Sequence, residues 1–202
     1  KSWVFDVLGC AAPGCSGKLR PAAGAEPPRD GVLRCRKCKT EYPVLGGIPI
    51  LVPAPDEWVA AYREAIVSSL AESRRLTRAG QRVIDSFAKR APRAEPLRFG
   101  GDFAHAAAPG PDAEAFDAFL ETAASEALPE RLLSMLGGRN LGTVLELGPG
   151  AGSLSRHLRH HSKRLIVADI SLRATLRALT TSSRGKGAPV EGAVVDAIPF
   201  ER

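Results

Sequence analysis

Long apolar stretches, a leader and spare cysteines are all missing from this 202-residue chain. No run approaches the ~18 consecutive apolar residues that a bilayer-spanning helix needs, so no membrane partner is expected. The start, Lys1-Ser2-Trp3-Val4-Phe5, lacks the apolar centre and cleavage site of a secretory signal, and a cytoplasmic location is expected. Its first residue is not Met, so the numbering is expected to begin inside a longer gene product or after a processed end. The cysteines number four, and they form two pairs with no odd thiol left over. Residues 1–53 are also too poor in apolar side chains to build a core of their own.

What is present is globular in character, with 44% hydrophobic and 25% charged residues. The length suits one ordinary domain plus a small module. The net charge of +6 is uneven. Residues 1–55 carry eight Lys or Arg against four Asp or Glu, and residues 141–202 carry nine against five, while the middle is slightly acidic. Two basic ends suit a nucleic-acid partner, and equally a solvated basic surface.

Three regions are expected. Residues 1–55 are turn-rich, with short β-type runs at 31–34 and 48–52 and a Pro53-Ala54-Pro55 close. Residues 56–140 form a helical connector. Trp58, Tyr62, Ile66 and Leu70 fall at helical spacing, predicting one helix from Asp56 to about Leu76, with a weaker pattern at Val83, Ile84 and Phe87. A Pro- and Gly-rich linker over 91–111 then precedes a second helical stretch from Asp112, through Phe116, Phe119 and Leu120, to the stop at Gly137-Gly138. Residues 141–202 alternate strand, helix, strand, helix, strand (143–147, 153–160, 165–168, 172–180, 192–195), which argues for a parallel sheet in an α/β fold. His105, His157, His160 and His161 read as surface residues, since no acid or thiol is spaced with them.

Cys10-x4-Cys15 and Cys35-x2-Cys38 stand nineteen residues apart. Two turns supplying two thiolates each close a tetrahedral structural zinc site with no position left for chemistry. The metal would then supply the folding free energy that the segment's apolar content cannot. Two disulfides are the competing reading, which the missing export signal disfavours. The segment resembles the zinc-ribbon family typified by the methyltransferase-activating subunit of tRNA and protein methyltransferases, on Leu8-Gly9-Cys10, Gly17-Lys18-Leu19, Leu33-Arg34-Cys35, Tyr42-Pro43 and Gly47-Ile48-Pro49. That resemblance implies a supporting role.

Glu146-Leu147-Gly148-Pro149-Gly150-Ala151-Gly152-Ser153 puts a glycine-rich turn between a strand and a helix, where open α/β sheets bind ligands. A dinucleotide fingerprint would need its third glycine at 153, which is serine. Glu146 would repel a pyrophosphate but suit a cationic amine. The second strand ends in Asp169-Ile170 and the third in Asp196-Ala197. A carboxylate at the first can accept from ribose hydroxyls and one at the second from an adenine amine, with Ile170 and Ala197 flanking the ring. These three stretches resemble motifs I to III of class I S-adenosylmethionine-dependent methyltransferases. The resemblance implies that Glu146, Gly148, Pro149, Gly150 and Gly152 hold the methionine part of the cofactor, Asp169 its ribose and Asp196 its adenine.

The expected architecture is therefore a Rossmann-like methyltransferase sheet, its first three strands only, behind a β-rich zinc ribbon. In such enzymes the acceptor-choosing residues usually follow a fourth strand, which Arg202 precedes. No catalytic residue is assigned, and the chain alone is expected to be inactive. The acceptor reads as RNA or protein, with a small molecule in competition. A ribosomal RNA guanine methyltransferase group pairs a ribbon with such a domain, but its zinc motif uses a His absent here. The alternative is a non-catalytic binding or regulatory protein whose sheet a partner chain, or a missing C-terminal half, completes.

Overall fold

The computed structural model describes residues 3–24, 29–93, 127–137, 140–183 and 187–195. One seven-stranded mixed sheet runs through them. Strands β1 (Leu19–Pro21), β2 (Gly31–Cys35), β3 (Glu41–Leu45) and β4 (Ile48–Leu51) form an antiparallel meander. Strands β5 (Thr143–Leu147), β6 (Arg164–Asp169) and β7 (Val190–Val195) are parallel. The order across the sheet is β1-β2-β3-β4-β7-β6-β5. The helices are α1 (Pro55–Ala61), α2 (Arg63–Glu72), α3 (Arg78–Arg90), α4 (Ala127–Met135), α5 (Ser153–His161) and α6 (Leu172–Ser182), with a 3-10 turn at Val4–Asp6. None of the described helices is long and apolar enough to cross a membrane.

The two halves of the sheet meet at β4. It pairs antiparallel with β3 and, on its other edge, parallel with β7, through Ile50 opposite Val194 and Leu51 opposite Val195. Pro49 has no N–H to donate, and the β7 ladder begins one residue after it. The tight β3–β4 hairpin turns on Gly46 (φ 58) and Gly47 (φ 86), two successive positive φ values of the kind that match strand twist in two-residue loops.

Alternation along the strands sorts the core into two layers. Ile48, Ile50, Leu165, Val167 and Val194 face a layer built by Trp58, Val59, Ile66, Leu70, Ile84 and Phe87 of α1–α3 together with Leu158, Leu172, Leu176 and Leu179 of α5 and α6. On the opposite face Leu33, Tyr42, Val44 and Leu51 cluster with Val4, Phe5, Cys10, Leu19 and Cys35, and Ile166 of β6 belongs to the same cluster. The cysteine-bearing segment thus completes its small apolar layer on the parallel strands. Glu191 of β7 fastens the N-terminal segment by accepting the amides of Trp3 and Val4 at 3.2 and 2.7 Å.

The strand–helix alternation expected over 141–195 is what the chain forms. The single helix expected from Asp56 to about Leu76 is instead two, broken at Tyr62 (φ −108, ψ 18) and ended at Glu72. The weak pattern around Val83 belongs to a full helix, α3, capped by Thr77, whose side chain accepts from Gly80 N–H at 2.9 Å. Thr77 also donates to Asp30 at 2.9 Å, and Asp30 accepts the Gly46 amide at 2.7 Å, so one carboxylate ties the β3–β4 hairpin to the start of α3. The helix expected from Asp112 begins outside the described residues.

Candidate functional site

The first cluster is made by two backbone knuckles. Cys10 N–H donates to Gly17 O at 3.0 Å and Cys15 N–H to Ala12 O at 3.0 Å, folding the 10–17 loop back on itself. Opposite it, Cys35 ends β2 and Lys39, at φ 68, turns the chain so that Lys39 N–H reaches Cys35 O. The four Sγ atoms lie within 4.8 Å of one another. Cys10 and Cys38 are 3.4 Å apart, Cys15 and Cys35 3.7 Å, and all four are free of disulfides. Zinc–thiolate bonds of ~2.3 Å put tetrahedral sulfurs about 3.8 Å apart, so the donor set fits that ion. Gly17 is sterically fixed, because a Cβ there would strike the Cys35 sulfur.

Burial raises the Cys10 thiol to about 12, against a hydrogen bond from Tyr42, whose oxygen lies 3.1 Å from the sulfur. Cys38, at the exposed rim, is lowered to about 6, chiefly by its hydrogen bond with the Thr40 hydroxyl. The Lys37 amide donates to Cys35 Sγ at 3.4 Å. Assembling these sulfurs as thiolates calls for a cation, and the four residues form a cluster able to bind a metal, consistent with zinc.

The second site lies at the C-terminal ends of β5 and β6. Gly148, Gly150 and Gly152 have φ values of 64, 54 and 82, a left-handed series that other residues resist. The turn is pinned by Gly148 N–H to Ala168 O at 2.9 Å and Gly152 N–H to Pro149 O at 2.8 Å. Two of its glycines do different work. A Cβ on Gly152 would stand 2.8 Å from Ala178 Cα, so this glycine lets α6 pack against the turn, whereas one on Gly148 meets nothing within 4 Å. Helix α5 starts at Gly152 without a side-chain cap, unlike α3 and α6, which Thr77 and Ser171 cap. Its first-turn amides have no cap competing for them, and the helix end favours an anion.

Glu146 is buried, and its Oε2 accepts from Ser155 Oγ at 2.5 Å. Burial pushes its carboxyl above the ordinary range and the Ser155 hydroxyl pulls it back. Asp169 is likewise raised by burial, opposed by hydrogen bonds from the Ser171 and Ile170 amides. Glu146, the glycine turn and Asp169 with Ile170 therefore stand together on neighbouring strand ends, while Asp196 and Ala197 lie outside the described residues. Ser155 as partner of Glu146, and Tyr42, Thr40 and Gly17 around the thiols, escaped the sequence reading. Tyr42 and Gly17 sit inside motif stretches it quoted; nothing in the spacing marks Ser155.

No protein-family model, curated protein or solved structure matches the chain. Its chemistry has to be argued from these two groups of residues.

Proposed function

We propose that the chain is the cofactor-binding part of an S-adenosylmethionine-dependent methyltransferase, with the four-cysteine ribbon as a structural zinc module and RNA, protein or a small molecule as acceptor. The observation that carries this reading is the left-handed turn at Gly148, Gly150 and Gly152, opening onto an uncapped helix beside Asp169 on the next strand end. Open space above Gly148 and the free first turn of α5 suit the carboxylate of an amino acid moiety. The Asp169 carboxylate suits a ribose diol. Bound there, the cofactor supplies a methyl group already activated by a sulfonium charge. The protein's part is to hold and orient it, with Glu146 as the acid nearest the turn and Asp196 as the reading for the adenine side.

Equilibrium binding of labelled S-adenosylmethionine tests the proposal. Saturable binding to the parent that is lost in Gly150→Val, with zinc content unchanged, is expected. Equal binding by both, or none by the parent, removes the turn from a cofactor site.

A second reading, a non-catalytic module completed by a partner chain, is favoured by one feature. Among the described residues the outer edge of β5 pairs with no strand, and Leu147 at its end is 51% exposed. Methyl transfer to a cell extract that exceeds a Gly150→Val control argues against that reading.

A further inference from the structure

Away from both sites, the end of α2 and the outer face of α6 enclose a cleft of about 490 Å³. Its lining is unlike the rest of the helical layer. Arg173 and Arg177 enter it from α6 and Arg74 from the turn after α2, with Leu176 between the two α6 arginines and Thr180 one turn on. The only carboxylate in the lining is Glu72, and its Oε1 accepts from Ser68 on its own helix at 3.1 Å. Three guanidiniums against one carboxylate leave the cleft with a net positive charge.

Two features of this arrangement run against stability when nothing is bound. Arg173 and Arg177 are spaced i, i+4 on one helix, a like-charge pair that helices disfavour. Arg74 adopts φ 55, a left-handed conformation uncommon for any residue but glycine. The hydroxyl protons nearby turn away from the cleft: Ser73 donates to Ser69 O at 2.8 Å and Thr180 to Leu176 O at 2.8 Å. The donors offered to a ligand are therefore guanidinium N–H groups, whose planar fork matches phosphate oxygens.

We propose that this cleft is a phosphate-binding site that takes a nucleotide unit, its phosphate held among Arg74, Arg173 and Arg177. The volume exceeds what a lone phosphate fills and lies in the range of small-ligand pockets. Leu176 gives an apolar floor beside the charges. The nucleotide is either free or part of a strand, and the inference stands independently of the methyltransferase reading, because S-adenosylmethionine carries no phosphate.

The test titrates the full chain with adenosine 5′-monophosphate and with a short labelled single-stranded oligonucleotide, inorganic phosphate serving as competitor. Two variants are compared with the parent: Arg173→Gln/Arg177→Gln, and Arg74→Gly, which removes a guanidinium while suiting the left-handed backbone. Zinc content and melting temperature report folding, and labelled S-adenosylmethionine binding is read on the same samples. Binding weakened roughly tenfold or more in both variants, with a salt slope reduced by about 0.7 per lost phosphate contact on the strand, is the expected result. Loss confined to the mononucleotide identifies a free nucleotide as ligand, and loss confined to the oligonucleotide identifies a strand. Absence of binding, binding that phosphate does not displace, or equal binding by the parent and Arg74→Gly overturns the proposal. A failure of S-adenosylmethionine binding alone leaves it standing and bears only on the glycine turn.

Discussion

The two ends of the one sheet are held by different means. At the antiparallel end, β1–β4 are short, the apolar layer is thin, and four cysteines converge within 4.8 Å. At the parallel end β5, β6 and β7 carry α5 and α6 on one face and bury Leu165, Val167 and Val194 there. A cross-link that depends on a metal substitutes for core at the first end, and packing alone serves at the second. Removing each kind of support in turn should therefore have different reach.

Stripping metal from the cysteine cluster has the largest expected effect. Zinc contributes ~10–16 kcal/mol of apparent binding free energy in small zinc modules, so its loss, by chelation or by Cys35→Ser, should unfold the β1–β4 end. Elemental analysis giving about one zinc per chain, together with circular dichroism melts with and without chelator, checks this. A chain with no metal and intact folding would show that packing suffices at both ends.

Next comes the shared strand. Ile50 is fully buried and sits where β4 pairs with β7. Ile50→Ala should cost roughly 2–5 kcal/mol, and because the residue belongs to the layer joining α1–α3 to α5 and α6, both ends should weaken in one transition. Two separate transitions in urea, followed by near- and far-ultraviolet signals, would mean that the ends unfold independently.

A smaller, more local contrast lies within the turn. Gly152→Ala meets the α6 backbone at Ala178 and a left-handed φ together, while Gly148→Ala meets only the φ. Losses of about 2–4 kcal/mol and about 1 kcal/mol are expected, respectively. If chemical denaturation gives equal losses, α6 is not anchored by the turn.

Much of this was legible in the residues. The strand–helix alternation after 141 was readable because both periods are undisturbed there, and the cysteine spacing named its cluster outright. What stayed hidden depends on contacts distant in sequence. The joining of β4 to β7 cannot be read locally, since Ile48–Leu51 looks like the close of a small module and pairs with residues more than a hundred positions later. The break at Tyr62 interrupts an apolar period that continues through it, and the Thr77 cap is held by Asp30, far upstream. The site acids were found by position along the chain, but the turning of Glu146 onto Ser155 is a fact of helix placement.

The smallest effect has the opposite sign. Glu146 is buried with a single hydroxyl donor, and burial raises its carboxyl above the ordinary value. An acid that holds its proton more tightly in the folded chain than in the unfolded one makes folding more favourable as pH falls. Its stabilising share is lost as pH rises from the ordinary carboxylate range through the raised folded value. At pH 7 the charged form is thus a burden at the parallel end. Glu146→Gln keeps an acceptor for Ser155 and removes that charge, so its melting temperature at pH 7 should exceed the parent's, with the gap closing toward pH 4. Asp169 is shifted the same way and is unchanged in this variant, so some pH dependence should remain. If Glu146 also faces the amine of a bound cofactor, the stabilised variant should bind S-adenosylmethionine less well, the trade expected where a buried charge is retained for a ligand. A Glu146→Gln protein that melts lower at pH 7 would show instead that the ionised carboxylate is part of what holds β5 to α5.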